Sequence, residues 1–222
     1  MTQPTLYGYF RSSCSWRVRI ALAFKNITPT QVPVHLVQDG GQQHGLAHHL
    51  RNPMHQVPVF EVHGEQLAQS MAILGYIEEM HPNPSLLPDT PMQRAKCMQF
   101  SEMINAGIQP LQNLAVMQRL QKSHGWTKQQ ALEWSAHWIH SGLLALEAFT
   151  ESVSGQYAIG DDITLADCCL YPQLYNAKRF GLSMDDYPRI AQIEANLSKV
   201  DAFITSDPSR QADTPPELCA PN

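Results

Sequence analysis

Two serines followed by a cysteine, Ser12-Ser13-Cys14, are the first residues of the chain whose types and spacing suit chemistry. An amphipathic pattern that predicts a helix begins directly behind them, and serine is favoured at a helix N-terminus. The free N–H groups of a first helical turn, with the positive end of the helix dipole, attract an anion. Because this environment lowers the pKa of a thiol, a neighbouring hydroxyl or thiol can hold a sulfur in its ionised form. The three residues therefore predict a site for an anion or a thiolate.

Two other interpretations of the same residues stay open. Ser12 and Ser13 can simply cap a helix that carries a buried Cys14. Alternatively, Cys14 can be a nucleophile of its own, as in a glutaredoxin-like reaction. The chain has no Cys-x-x-Cys pair to support that reaction, and the two neighbouring hydroxyls suit a thiol that comes from another molecule.

The elements that must position this site alternate between strand and helix up to about Met80. A strand over Leu6–Phe10 and a helix over Ser15–Lys25 flank the serines. A second strand, Thr30–Leu36, contains Pro33, which indicates an edge position or an irregular end. The remaining predicted elements are a turn at 39–43, a short helix at 46–50, a loop and strand within 52–62, a hairpin turn at 63–65 and a helix from 71 to about 80.

Two further features of this half could belong to a site. Gln69-Ser70 precede the helix from Met71, where Ser70 is expected to be the N-cap and the free N–H groups favour a carboxylate. The peptide bond between Val57 and Pro58 lies just before a strand, and a cis form there would be an uncommon, position-specific device.

A proline-rich segment, 81–91, separates this half from the rest, because helices do not continue across its four prolines. Beyond it the pattern is helical to the end. Thr164 and Asp167 form a capping box, which accounts for Asp167 as a structural acid. The tail from Asp207 is predicted to be irregular or mobile. The predicted helices are 92–122 with a kink near 107–110, 127–150, one after the capping box to about 180, and 188–198.

Composition excludes several classes of protein. The chain has 222 residues, 43% of them hydrophobic, which is enough for a core without disulfides or metals. A net charge of −5 with 15 Lys and Arg argues against nucleic acid as a partner. Without a signal-like start or a run of about 18 apolar residues, no membrane association is expected and the cytoplasm is the predicted location.

Cysteine and histidine spacings do not predict a disulfide framework or a metal site. The five cysteines are odd in number and resemble reduced thiols. His44 and His48 could share one helix face, but neither a His-Glu-x-x-His pattern nor a third ligand accompanies them. The chain also lacks a G-x-S-x-G motif and a phosphate-binding glycine loop, so hydrolase and nucleotide functions have no supporting motif.

The stretch Ser12–Leu22 resembles the signature of zeta-class glutathione transferases, the maleylacetoacetate isomerases. The similarity runs nearly end to end, from Leu6 to Leu218. It implies an α/β plus all-α fold, with a thioredoxin-like glutathione-binding domain over 1–82 and an all-helical substrate-binding domain over 92–222. The specific motifs are Ser12–Leu22, Asp39–Gln43, Asn52–Pro58, Gln69-Ser70, Gly107–Leu114 and Asn176–Phe180.

The same resemblance implies that glutathione is the cofactor, and it assigns roles to residues. Ser12, Ser13 and Cys14 are the expected catalytic residues beside the sulfur. Arg11 and Arg179 resemble the arginines that hold a dicarboxylate substrate, a task that suits bidentate guanidinium geometry. The residues expected to bind glutathione are Ser12, Ser13, Cys14, Ser15, Trp16, Arg17, Gln43, Val57, Pro58, Gln69, Ser70, Gln109 and Asn113. In one departure from the family, Ala115 stands where a serine is common.

The resemblance further implies a cytoplasmic homodimer that isomerises maleylacetoacetate to fumarylacetoacetate in tyrosine and phenylalanine catabolism. The thiolate of glutathione would add reversibly to the cis double bond and so permit rotation. Three alternatives stay open: a maleylpyruvate isomerase, a general glutathione transferase or α-halo acid dehalogenase, and a binding module without enzymatic activity.

Overall fold

A four-stranded mixed sheet organises the first part of the computed structural model, which describes residues 3–220. Its strands are β1 (Thr5–Gly8), β2 (Thr30–Pro33), β3 (Val59–Val62) and β4 (Glu65–Ala68), in the order β2-β1-β3-β4. β1 pairs in parallel with β2 and antiparallel with β3, and β3 and β4 form an antiparallel hairpin. The predicted edge position of β2 is confirmed, and the strand ends at Pro33, which has no N–H for a ladder bond.

The three helices of this part are α1 (Ser13–Phe24), α2 (Leu46–Arg51) and α3 (Ser70–Met80). Because β1 and β4 are each antiparallel to β3, they run in the same direction. The helices that follow them, α1 and α3, therefore begin at the same edge of the sheet. Both helices pack on one sheet face through a core formed by Leu6, Val18, Leu22, Phe60, Ile73 and Ile77.

The helices of the second part are α4 (Pro91–Glu102), α5 (Leu114–His124), α6 (Lys128–Thr150), α7 (Leu165–Arg179) and α8 (Pro188–Leu197). The prediction of one kinked helix over 92–122 is wrong. A π-helical turn, Met103–Ile108, and a 3-10 turn, Gln109–Gln112, separate α4 from α5. Pro110 accounts for the interruption, because proline lacks an N–H and its ring clashes with the preceding helical turn. Within residues 3–220, no helix combines the length and apolar character needed to cross a membrane.

The division into two units differs from the predicted domains. One unit comprises the described chain up to Leu86 together with the segment from Lys199, and the other is Leu87–Ser198. The prediction that 92–222 forms one domain is therefore wrong for the C-terminal segment, which includes α9 (Asp201–Thr205). Its side chains and carbonyls satisfy polar groups of α1: Trp16 Nε1 donates to Ser206 Oγ at 3.0 Å, and Arg19 Nε donates to the Ser206 carbonyl at 3.1 Å.

The rest of the predicted irregular tail is also ordered by the first unit. Two 3-10 turns, Pro208–Arg210 and Pro216–Leu218, interrupt it, and Thr214 is buried. Asp213 Oδ2 accepts a hydrogen bond from the Phe10 N–H at 2.9 Å, just before the serines. The tail is thus part of the structure that surrounds the start of α1, which its proline content did not reveal.

A buried ion pair fixes the far ends of α1 and α3 to the proline-rich segment. Lys25 Nζ lies 2.7 Å from Glu78 Oε2 and donates to the carbonyls of His81 and Pro84 at 2.6 and 2.7 Å. Glu78 in turn accepts from the Leu86 N–H at 3.1 Å. Every polar atom of the pair that is removed from water therefore has partners, as a buried pair requires.

We expect Lys25→Met to lower the free energy of unfolding by about 3 kcal/mol, because it leaves the Glu78 carboxylate buried without its partner. Lys178→Met is the matched control: Lys178 also pairs with a glutamate, Glu194 at 2.6 Å, but its side chain is 50% exposed against 0% for Lys25. An exposed pair contributes about 0.5 kcal/mol. Urea unfolding of both variants measures the difference, and equal losses would contradict the importance of burial.

Candidate active site

The start of α1 places the three residues singled out by their chemistry side by side. Ser12 is the N-cap, and its Oγ accepts from the Ser15 N–H at 3.2 Å. Ser13 is the first helical residue and is buried, whereas Cys14 is partly exposed. The N–H groups of Ser13 and Cys14 belong to the first turn, where the helix itself provides no acceptor. The cap uses Ser12 Oγ as an acceptor and does not use its O–H, so the hydroxyls of Ser12 and Ser13 can each donate to a ligand.

The next three residues are buried and join this helix start to its surroundings. Ser15 Oγ accepts from the Tyr9 N–H at 3.4 Å, and Trp16 reaches Ser206 as described above. Arg17 Nη1 donates to Ser70 Oγ at 3.2 Å. A buried guanidinium from α1 therefore contacts the first residue of α3. Two helix N-termini and a cation make this edge of the sheet electropositive.

The expected role of Ser70 as an N-cap is wrong. Ser70 is the first residue of α3, and the capping position is Gln69, whose side chain makes no capping hydrogen bond. Gln69 has a φ of 71°, in the left-handed region that a non-glycine residue seldom adopts and that is concentrated at functional sites. Its Nε2 donates to Gln56 Oε1 at 3.2 Å. Ser70 Oγ is instead the acceptor for Arg17, so the first turn of α3 keeps its own N–H groups for other partners.

Gln43 and the loop before β3 lie in the same unit. The Val57–Pro58 peptide bond is cis, which confirms the prediction. Gln43 is 6% exposed, and its Nε2 donates to the Leu36 carbonyl at 3.2 Å. Its Oε1 is buried and has no hydrogen-bond partner in the described part of the chain. A buried acceptor without a donor is costly, so this atom calls for a ligand N–H or a water molecule.

Gly41 provides the space for the Gln43 side chain. A Cβ at Gly41 would lie 2.5 Å from Gln43 Nε2, far inside van der Waals contact. The φ of Gly41 is also 99°, which favours glycine. The sequence indicated a turn here, but it did not show that the glycine makes room for a side chain two residues later.

The other expected site residues are described within their own surroundings. Arg11 is partly exposed, with its guanidinium carbon 5.6 Å from the Phe10 ring centre. In the second unit, Asn113 caps α5 by accepting from the Ala115 N–H at 3.0 Å, and Gln109 begins the 3-10 turn before it. Arg179 is exposed near the end of α7. The ligand-binding roles of these residues stay predictions.

Asp167 lies at the centre of the predicted capping box, which is confirmed. Its carboxylate is fully buried and accepts from the Ala158 N–H at 2.9 Å, the Thr164 N–H at 2.8 Å and Thr164 Oγ1 at 3.0 Å. Burial raises the pKa of Asp167 to about 6, while these hydrogen bonds act in the opposite direction. Both oxygens are used to order the start of α7, as expected of a structural acid.

Sequence analysis missed the residues that hold the loop before Pro58. His48 Nε2 and Asn52 Nδ2 each lie 2.9 Å from the Gln56 carbonyl oxygen, and His55 Nδ1 lies 2.9 Å from the Gln43 carbonyl oxygen. From the sequence, His48 is a candidate only as a metal ligand beside His44. Across residues 3–220, no group of three or more His, Cys, Asp or Glu side chains is arranged to hold a metal ion. The sequence signal that could have indicated their role is a short predicted helix with polar residues, next to residues expected to bind glutathione.

Comparison with known proteins identifies the family. Residues 2–79 match the family model "Glutathione S-transferase, N-terminal domain". The maleylacetoacetate isomerase of Rattus norvegicus is 46% identical over 216 residues, which cover 97% of this chain and 97% of the rat protein. The chain belongs to the maleylacetoacetate isomerase family of glutathione transferases. The resemblance carried by Ser12–Leu22 is therefore confirmed at the level of the family.

Two solved structures extend this family relationship to the fold. The maleylacetoacetate isomerase of Anaeromyxobacter dehalogenans 2CP-1, with glutathione bound in its active site, has a TM-score of 0.86, 41% identity, and coverage of 96% of this chain and 98% of its own. A zeta-class maleylpyruvate isomerase has a TM-score of 0.92, 33% identity, and coverage of 95% and 100%. The thioredoxin-like first part with a helical second part, predicted from sequence, is confirmed.

We expect Ser12→Ala to lower the free energy of unfolding by about 1 kcal/mol, because it removes the oxygen that caps α1. Ser13→Ala, one residue later, removes a hydroxyl that does not cap the helix, and its effect should stay within about 0.5 kcal/mol. Urea unfolding of the two variants compares their free energies of unfolding and so tests whether Ser12 alone caps the helix. A larger loss for Ser13→Ala would show that Ser13, and not Ser12, stabilises the helix start.

Proposed function

We propose that this protein is a glutathione-dependent cis–trans isomerase that converts maleylacetoacetate to fumarylacetoacetate. The observation that carries the proposal is the start of α1, where Ser13 and Cys14 lie on a free first turn in a chain 46% identical to a maleylacetoacetate isomerase over nearly its full length. Bound glutathione supplies the sulfur nucleophile for a reversible addition to the cis double bond.

The residues present fit glutathione. The buried Gln43 Oε1 has no hydrogen-bond donor in the described chain, and a tripeptide brings amide N–H groups that can supply one. Glutathione also carries two carboxylates and an ionisable thiol, so it is anionic. An anion suits an edge of the sheet where two helices begin and where the buried Arg17 bridges to Ser70.

Ser13 and the first turn of α1 have the task of keeping the sulfur ionised. The Ser13 hydroxyl can donate a hydrogen bond to a thiolate, and the N–H groups of Ser13 and Cys14 add the positive end of the helix. Both interactions are stronger with a thiolate than with a thiol, so they shift the proton off the sulfur. Ser12 supports this arrangement as the cap, and Cys14 lies beside it.

Other residues of the first unit are proposed to hold the middle and the γ-glutamyl end of glutathione. Gln43 and the main chain of Val57 are placed to bind its middle, and Gln69 and Ser70 its γ-glutamyl group. The first turn of α3 gives that carboxylate the same favourable field that α1 gives the sulfur. The side chains of Ser15, Trp16 and Arg17 are buried, so we propose that they support the site through contacts with the protein. On the family resemblance, Gln109 and Asn113 are further proposed glutathione-binding residues.

Arg11 and Arg179 are the proposed partners of the substrate carboxylates. Fixed bidentate guanidinium groups orient a dicarboxylate so that its double bond faces the sulfur, which is catalysis by positioning. Negative charge that develops on the substrate during the addition is also stabilised by nearby cations. On the family relationship we further infer a cytoplasmic homodimer that acts in tyrosine and phenylalanine catabolism.

Maleylpyruvate is the second candidate substrate. The observation in its favour is the TM-score of 0.92 with a zeta-class maleylpyruvate isomerase, although two maleylacetoacetate isomerase structures follow at 0.91 and 0.86. Sequence identity runs the other way between the first and last of these, at 33% against 41%, and is 46% for the rat isomerase. Because side chains and not backbone paths select a substrate, identity favours maleylacetoacetate.

The test is a side-by-side assay of both substrates with glutathione. We expect a higher kcat/KM for maleylacetoacetate than for maleylpyruvate, and no turnover without glutathione.

Ser13→Ala should lower kcat by about a hundredfold, as removal of one donor to a developing anion does. Cys14→Ser should keep most of the activity, because Cys14 is a neighbour of the sulfur.

Four results would redirect the assignment. A higher kcat/KM for maleylpyruvate would select the second candidate, and faster turnover of α-halo acids than of either cis substrate would indicate a dehalogenase. Loss of activity in Cys14→Ser with full activity in Ser13→Ala would make Cys14 the nucleophile. Glutathione binding without turnover of any substrate would indicate a binding module.

Gly41→Ala should raise the KM for glutathione about tenfold with a smaller change in kcat. The new methyl group displaces the Gln43 amide, and the loss of one hydrogen bond to glutathione corresponds to about a tenfold weaker binding. Gly40→Ala is the matched control. Gly40 also has a positive φ, 79°, but a Cβ there would meet nothing within 4 Å. Steady-state kinetics with varied glutathione separates the two variants, and equal KM values would remove Gln43 from the binding site.

A further inference from the structure

The loop between α2 and β3 is held from one side by two buried side chains. His48 Nε2 and Asn52 Nδ2 both contact the Gln56 carbonyl oxygen at 2.9 Å. His48 is 3% exposed and Asn52 is 4% exposed. A carbonyl oxygen only accepts, so His48 must carry its proton on Nε2. Burial lowers the pKa of His48, which agrees with a neutral ring whose second nitrogen, Nδ1, is buried without a partner in the described chain.

Fixing the Gln56 carbonyl also fixes the N–H of Val57, because the two belong to one peptide group. That peptide bond is trans, since the cis bonds of the described residues are Val57–Pro58 and Asn83–Pro84. In a planar trans peptide the C=O and N–H point in opposite directions. The Val57 N–H is therefore aimed away from His48 and Asn52. Two hydrogen bonds to one oxygen restrict rotation of the peptide plane more than a single one does.

The same loop contacts two other residues expected to bind glutathione. Gln56 Oε1 accepts from Gln69 Nε2 at 3.2 Å, and His55 Nδ1 lies 2.9 Å from the Gln43 carbonyl oxygen. A displacement of Gln56 would consequently change the positions of both Gln69 and Val57. The loop is thus connected to each first-unit segment proposed to bind the peptide part of glutathione.

We propose that His48 and Asn52 are positioning residues for glutathione, which set the direction of the Val57 N–H by holding the Gln56 carbonyl. This inference rests on the proposed function. Neither residue needs to touch the ligand: both act through the Gln56–Val57 peptide group. The role predicts weaker binding of glutathione with little change in the rate of turnover once the site is saturated.

Asn52→Asp is the sharpest variant, because it keeps the size of the side chain and the oxygen that accepts from the Met54 N–H at 3.1 Å. It replaces only the donating NH₂ group by an oxygen that repels the Gln56 carbonyl. We expect the KM and the calorimetric Kd for glutathione to rise about tenfold, and kcat at saturating glutathione to change by less than about twofold.

Asn196→Asp is the matched control in the second unit. Asn196 Nδ2 also donates to the main-chain carbonyl of a glutamine, Gln156, at 2.8 Å. The substitution therefore removes the same kind of hydrogen bond, and the Kd for glutathione should stay at the wild-type value. A rise as large as that of Asn52→Asp would show that the effect is a general loss of stability and would overturn the inference.

The second pair of variants keeps the test decisive if Asn52→Asp does not fold. His48→Leu removes the donor and should weaken glutathione binding, whereas His48→Gln offers a primary amide of similar reach and should restore most of it. A purely structural role for His48 would lower the melting temperature of His48→Leu without raising its Kd for glutathione, and that result would overturn the proposal.

Failure of the inference can be told apart from failure of the proposed function. If calorimetry detects no glutathione binding by the wild-type protein, the proposed function falls and this inference falls with it. If the wild type binds glutathione and the folded variants at residues 48 and 52 bind it equally well, only the positioning role is overturned.

Discussion

Two helix N-termini at one edge of a small sheet are the constraint on which the site depends. The direction of β4 relative to β1 makes α1 and α3 begin together, and Arg17 joins them by donating to Ser70. First-turn N–H groups cannot be satisfied within their own helices. Their alignment at a common edge therefore creates a field that favours an anion, whatever side chains are added later.

Much of the surrounding structure serves to hold this edge in place. Ser15 Oγ would lie 3.1 Å from a Cβ at position 8, so Gly8 allows α1 to approach β1 closely. Arg19 donates to the carbonyls of Tyr9 and Phe10 at 3.4 and 2.7 Å and so fixes the turn before the serines. Burial lowers the pKa of Arg19 to about 10, which the charges of Asp213 and Asp207 oppose. The C-terminal segment thus supplies both a carbonyl partner and compensating charge.

The site residues of the first unit fall into two groups that act differently. Gln43 has a buried Oε1 without a hydrogen-bond partner in the described chain, and Ser13 and Cys14 lie in a first turn whose N–H groups the helix cannot satisfy. Ser12, Trp16, Arg17, His48 and Asn52 are engaged with the protein itself. Such engaged residues decide how accurately the first group is placed, because a side chain or peptide plane that can rotate loses binding energy when it is ordered.

The sequence by itself determined the alternating first half, the proline-rich boundary, the capping box at Thr164 and the cluster at Ser12–Cys14, because each depends on neighbours within a few residues. Only the tertiary structure decided that Ser70 accepts from Arg17, that the tail from Asp207 belongs to the first unit, and that His48 and Asn52 grip Gln56. These contacts join side chains and carbonyls whose approach depends on strand order and helix packing. Local patterns of hydrophobicity and capping carry no information on which distant polar group will meet which.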